Sequence, residues 1–188
     1  EDVTLDLTGQ PPYDGVVETR AVGATCGGVR LWSVYVPNGR EPDHDHYSYK
    51  LAWFDALRST VKTELAAAPD TPLAVIGDFN VAPTDADVWD IAQFTDSTHV
   101  TVPERDALAA LRAEGLVDLM PRSLKGEPYT FWDYRNGAFH RGWGMRIDLV
   151  YANPAFAGLV SDTWIDRNER KGKGASDHAP VVIDLEAP

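Results

Sequence analysis

Leu73-Ala74-Val75-Ile76-Gly77-Asp78-Phe79-Asn80 decides the fold class. A short continuous apolar run that ends in Gly-Asp reads as a strand buried on both faces whose end opens into a loop. Upstream, Leu51, Phe54, Leu57, Val61 and Leu65 recur at spacings of three and four, which predicts an amphipathic helix over about Tyr47 to Ala67, stopped by Pro69 and Pro72. Further upstream, Val16–Thr25 and Val29–Val36 flank the adjacent glycines Gly27 and Gly28 and read as a hairpin. Downstream, Thr101 and Glu104 have capping-box spacing and Pro103 suits a first turn, so a second helix is expected there, closed by Gly115. Tyr129–Tyr134, Arg146–Ala152, Leu159–Ile165 and Ala179–Leu185 read as short strands. The segment before residue 15 is too poor in apolar residues to predict an element. Strands mixed with two helices imply a layered α/β architecture.

The chain of 188 residues has ordinary globular proportions, 44% hydrophobic and 24% charged. One domain is expected, because at this length folding hides roughly 70% of the unfolded surface and no disulfide or structural metal is needed. The single cysteine, Cys26, excludes an internal bridge and a thiol zinc cluster. No apolar run approaches the ~18 residues of a membrane span and Glu1-Asp2 does not open a secretory signal, so a cytoplasmic protein without a membrane partner is expected. The net charge of −12 argues at first against a polyanionic partner. The whole excess lies in residues 1–120, with 8 basic and 20 acidic side chains, whereas residues 121–188 hold 9 of each. A phosphate-binding face is therefore permitted in the last third.

Four loop stretches carry chemistry. In Gly77-Asp78-Phe79-Asn80, Asp78 suits a base or metal ligand and Asn80 a donor to an anion, although Gly-Asp-x-Asn is also good turn chemistry. Ser176-Asp177-His178-Ala179-Pro180 offers a carboxylate and an imidazole before the last strand, and reads equally as a histidine held at a turn. Arg146-Ile147-Asp148 puts two polar residues on one strand face, a spacing typical of a surface ion pair. Tyr129-Thr130-Phe131-Trp132-Asp133-Tyr134-Arg135, with Phe139, Trp143 and Met145 beyond, suits stacking on sugars or bases, or a core stripe. Tyr35, in Val34-Tyr35-Val36-Pro37-Asn38-Gly39, ends the second hairpin strand.

The order YVPNG, GDFN, FWDYR, RID, SDH resembles the exodeoxyribonuclease III family of apurinic/apyrimidinic endonucleases, within the endonuclease/exonuclease/phosphatase superfamily. The resemblance implies a four-layer α/β sandwich, two mixed β-sheets face to face with helices outside and the site at one edge. It implies Mg²⁺-dependent (or Mn²⁺-dependent) phosphodiester hydrolysis of double-stranded DNA at abasic sites and 3′ ends, by a protein monomeric when complete. Asp78 would deprotonate the attacking water, Asn80 bind a phosphate oxygen, His178 bind the scissile phosphate, Tyr35 donate to the phosphate or leaving oxygen, and Asp148 tune the metal side. The metal set would be Asp78, Asn80, Asp177 and His178, with Asp177 also orienting its neighbour. Phe131, Trp132 and Met145 would line a pocket for an abasic sugar, and Arg135 would belong to the substrate side. The family's opening Asn-ended strand and its Gln-Glu have no counterpart before Tyr35, so the chain is expected to be the carboxy-terminal portion of such a domain, with its first sheet incomplete. RNA or a phosphorylated small molecule as substrate, and an inert DNA-binding remnant, are the other readings.

Overall fold

The computed structural model describes residues 1–186. Its larger sheet has six strands: β1 (Thr4–Leu5), β2 (Ala21–Cys26), β3 (Val29–Tyr35), β4 (Leu73–Asp78), β5 (Val117–Asp118) and β7 (Asp148–Ala152). They lie in the order β1-β2-β3-β4-β7-β5. The smaller sheet orders β6 (Arg122–Ser123), β8 (Val160–Ile165) and β9 (Val181–Leu185) consecutively. Both sheets are mixed: β3 runs parallel to β4 and antiparallel to β2, and β8 runs parallel to β6 and antiparallel to β9.

The expected hairpin forms, but its first strand begins only at Ala21, paired with Val34. Arg20 O still accepts from the Tyr35 N–H at the end of β3, whereas Val16 turns back to pair with Tyr13, so residues 16–19 extend no ladder with β3. The amino-terminal stretch is not free of elements, since β1 pairs with β2 through Thr4 and Leu5. Two residues are too few to leave a pattern in the sequence.

Helices α1 (Asp45–Ala67) and α2 (Val102–Arg112) cover one face of the larger sheet. Trp53, Leu57 and Val61 of α1 and Leu108 and Leu111 of α2 share a core with Trp32, Val34, Val75 and Tyr151. A parallel pair needs a crossover connection, and α1 supplies it between β3 and β4. Ala74, Ile76 and Ala152 point to the other face, where they meet Val160 of β8 and Ile183 of β9. Alternating side chains on β4 thus bury both faces, as the apolar run requires. The remaining α-helices, α3 (Ala138–Arg141) and α4 (Pro154–Ala157), are single turns. Among the described residues the long helices therefore lie on one outer side of the sandwich.

Tyr129–Tyr134 is not a strand. Phe131 alone makes one bridge to Met145 and another to His178, because the flanking segments are extended for only a residue or two at that point.

Candidate active site

The larger sheet brings three of the motifs to one edge. Tyr35 ends β3, Asp78 ends β4 and Asp148 begins β7; the registers set Tyr35 opposite Asp78 and Asp78 opposite Asp148. Gly77 makes the approach possible: at φ 134°, a Cβ there would stand 2.1 Å from the Val34 carbonyl oxygen. His178 joins from the segment before β9, its Nδ1 2.8 Å from Asp148 Oδ2. The turn that carries it is held locally, His178 N–H donating to Ser176 Oγ at 3.1 Å.

Asp78 is gripped by Asn80. The Asn80 N–H donates to Asp78 Oδ1 at 2.8 Å and its Nδ2 to Oδ2 at 3.0 Å. The second hydrogen of that amide goes to Val36 O at 2.9 Å, and Asn80 Oδ1 accepts from Asn38 Nδ2 at 3.0 Å. Asn80 is buried, and both hydrogens of its amide are engaged by protein acceptors. These bonds orient Asn80 and Asp78 on one another.

Burial pushes the Asp78 carboxyl up, and the negative charge of Asp148 pushes it further, to about 7; the Asn80 N–H, His178 and Lys50 oppose the rise. For His178 burial works the other way, against the charged ring. The hydrogen bond to Asp148 and the charges of Asp148, Asp78 and Asp177 outweigh it and hold the imidazole above its ordinary value. Asp148 therefore orients the histidine. The expected orienter, Asp177, contributes charge, and its carbonyl accepts from Trp132 N at 2.9 Å.

A cation would relieve the charge of Asp148 that bears on Asp78. Among the described residues no group of three or more His, Cys, Asp or Glu side chains is placed to hold a metal ion, and the Asn80 amide and His178 Nδ1 are already engaged. Of the expected ligand set, Asp78 and His178 reach this edge with Asp148 beside them, and no chemical step is assigned through a metal.

Beside Phe131, whose ring lies 5.0 Å from that of His178, opens a cavity of about 250 Å³. Trp89, Phe94, Phe131, Trp143 and Met145 form its apolar wall, and Asp133 and Arg135 its polar rim. Arg135 is tied to Asp133 at 2.6 Å. Trp132 is not in this wall. Extended backbone turns neighbouring side chains to opposite sides, so Trp132 is 1% exposed and packs with Tyr129, Ala138 and Ile165 in a core cluster. Tyr35 is 54% exposed, with the Arg20 guanidinium 5.0 Å over its ring. Arg146 does not pair with Asp148: it is buried between Asp87 (2.6 Å) and Asp118 (3.0 Å).

Lys50 gave no sequence signal. It is fully buried on α1 and donates to Asn80 O at 2.7 Å and to Glu104 Oε1 at 2.5 Å. His99 Nδ1 reaches the same Asn80 carbonyl at 2.5 Å; burial lowers its pKa to about 4, so the ring is neutral and donates from Nδ1.

Two mixed sheets joined at an edge by two carboxylates and a histidine define a two-sheet sandwich class with a polar site at the strand ends. The profile of the Endonuclease/Exonuclease/phosphatase family matches residues 3–178, and the chain belongs to that family. An exodeoxyribonuclease of Bacillus subtilis is 28% identical over 169 residues, 88% of this chain and 64% of the relative. The chain thus spans under two thirds of that relative's length. Among solved structures, the 3′ phosphatase NExo from Neisseria bound to a product DNA hairpin superposes with a TM-score of 0.90 at 34% identity, covering 99% of this chain and 71% of that one. An AP endonuclease from Archaeoglobus fulgidus gives 0.87 at 30% identity, with the same coverage.

Proposed function

We propose that the chain carries the hydrolytic centre of a DNA repair phosphoesterase acting on 3′ ends and abasic sites of double-stranded DNA, with Mg²⁺ or Mn²⁺ as cofactor. The observation that carries this reading is the meeting of Asp78, Asp148 and His178 at one sheet edge, with Tyr35 on the neighbouring strand end. The likeness to the Neisseria 3′ phosphatase and to the Archaeoglobus AP endonuclease supports the substrate class.

In this reading Asp78, fixed by the two Asn80 bonds, takes a proton from the attacking water. His178, whose charged form Asp148 favours, holds an oxygen of the phosphate as charge develops there. Tyr35 donates from the rim. The divalent cation, when bound, neutralises phosphate charge. The apolar cavity beside Phe131 favours cleavage at abasic sites as a second activity, since a sugar without its base fits where the walls exclude one with it. A cytoplasmic monomer is the form in which this would operate. No helix among the described residues is long and apolar enough to cross a membrane.

The test uses a 3′-phosphate DNA hairpin, an abasic duplex, an intact duplex and RNA of matched sequence, each with Mg²⁺ and with EDTA. Phosphate release and abasic nicking are expected only with the cation. Asp78→Asn or His178→Ala should lower kcat by about 100-fold or more with little change in duplex affinity. Equal action on RNA would move the substrate class, and duplex binding without hydrolysis would identify a DNA-binding remnant.

A further inference from the structure

Asp148 and His178 stand 30 residues apart and belong to different sheets' approaches, yet their side chains meet at 2.8 Å. Something must set both segments at once, and a single residue touches the backbone of each. Thr130 is fully buried, and its Oγ1 accepts from the Asp148 N–H at 3.0 Å and the Ile147 N–H at 3.1 Å while donating to Met145 O at 3.5 Å. A hydroxyl offers one donor and two acceptor lone pairs, so all its capacity is engaged around the start of β7. Its carbonyl accepts from the Ala179 N–H at 2.7 Å, immediately after His178. Two residues on, Trp132 N–H donates to Asp177 O at 2.9 Å, so Thr130 and Trp132 clip the chain on both sides of the histidine. The Phe131 ring between them lies against the imidazole.

We infer that Thr130 is a positioning residue of the Asp148–His178 pair: its hydroxyl sets the Asp148 backbone and its carbonyl sets the chain beside His178, so that one short strap registers the carboxylate against the imidazole. It touches neither substrate nor reacting atoms. The strap is the stretch that the aromatic pattern made conspicuous, but the informative residue in it is the small polar one.

Thr130→Val tests this, because it keeps the β-branched shape and deletes the hydroxyl; Thr130→Ser restores the hydroxyl without the methyl. The direct readout is the Nδ1–H proton of His178 in NMR spectra of the whole protein, which the carboxylate shifts downfield. That signal is expected to be lost or displaced in Thr130→Val, and in Thr130→Ala should the valine variant fold poorly, and to return in Thr130→Ser. The rate arm rests on the proposed hydrolysis: kcat for release of a 3′-phosphate should fall about 10- to 100-fold in Thr130→Val with KM changed by no more than about threefold, and recover in Thr130→Ser. An unchanged Nδ1–H signal in the valine and alanine variants, or a serine variant as impaired as valine, overturns the inference. If the native protein releases no phosphate, the proposed reaction fails while the NMR arm still decides the role of Thr130.

Discussion

A carboxyl that ionises near neutrality is a cost the fold carries for its site. Asp78 moves from an ordinary 3.8 to about 7, chiefly through burial and then through the charge of Asp148. A carboxyl raised in the folded state is neutral in both states below about pH 4 and loses native stability as pH rises toward 7, because the unfolded chain ionises it first. Asp78→Asn removes that penalty and also disturbs the Asn80 bond, but the second effect does not vary with pH. The stability of the variant relative to the native protein is therefore expected to rise by about 2–4 kcal/mol between pH 4 and pH 8, then level off. Urea unfolding at a series of pH values measures it, and a difference flat with pH would show that Asp78 ionises normally. Burial of this kind is invisible in Gly-Asp-Phe-Asn read as a string. The string did single out the residue, since a carboxylate that closes an apolar strand has nowhere to go but the sheet edge.

The two long helices matter to the site through one ion pair. Glu104 fills the third position of the α2 capping box, where its Oε2 accepts from Thr101 N–H, and its Oε1 faces Lys50 of α1, which in turn holds the Asn80 carbonyl. Burial would raise the Glu104 carboxyl, but the Lys50 ammonium and its hydrogen bonds hold it below the usual range. Lys50→Met strands that carboxylate and is expected to destabilise the protein by about 3–5 kcal/mol, whereas adding Glu104→Gln should recover more than half of the loss. Equal unfolding midpoints for the single and double variants would mean that the charge is not stranded. The capping box was legible from its spacing, because both partners lie in one turn. Lys50 was not, its partner being 54 residues away and its position in a run otherwise read for apolar periodicity. The same limit applies to Arg146, whose spacing to Asp148 suggested a pair while its real partners, Asp87 and Asp118, come from a loop and from β5. Local signals predicted hairpin, helices and most strands. Register, and hence which polar residues meet, depends on contacts that no window of sequence contains.

For the whole molecule the difficulty is charge. A net −12 repels a polyanion at long range, so association with DNA must rely on cations concentrated where the duplex would lie. Residues 166–173, just before Ser176 and His178, carry Arg167, Arg170, Lys171 and Lys173 against Asp166 and Glu169. Arg170 is not available to a ligand, being buried with its Nη2 on Trp132 O, and Arg167 packs over Phe139. Lys171 and Lys173 are exposed. They are the exposed cations of this loop, Lys171 Nζ donating to Asn168 Oδ1 at 2.6 Å, and in the proposed complex they would meet phosphates flanking the one at His178. Each phosphate neutralised contributes about 0.9 to the slope of log affinity against log salt on duplex DNA. Lys171→Gln/Lys173→Gln is therefore expected to weaken duplex binding at low salt and to flatten that slope by about 1–2, while kcat at saturating DNA stays within about twofold. Fluorescence anisotropy between 50 and 200 mM salt reads the slope directly. An unaltered slope would place the duplex on another face, and a fall in kcat at saturation would show that the loop acts through the Ser176–His178 turn and not through the phosphates.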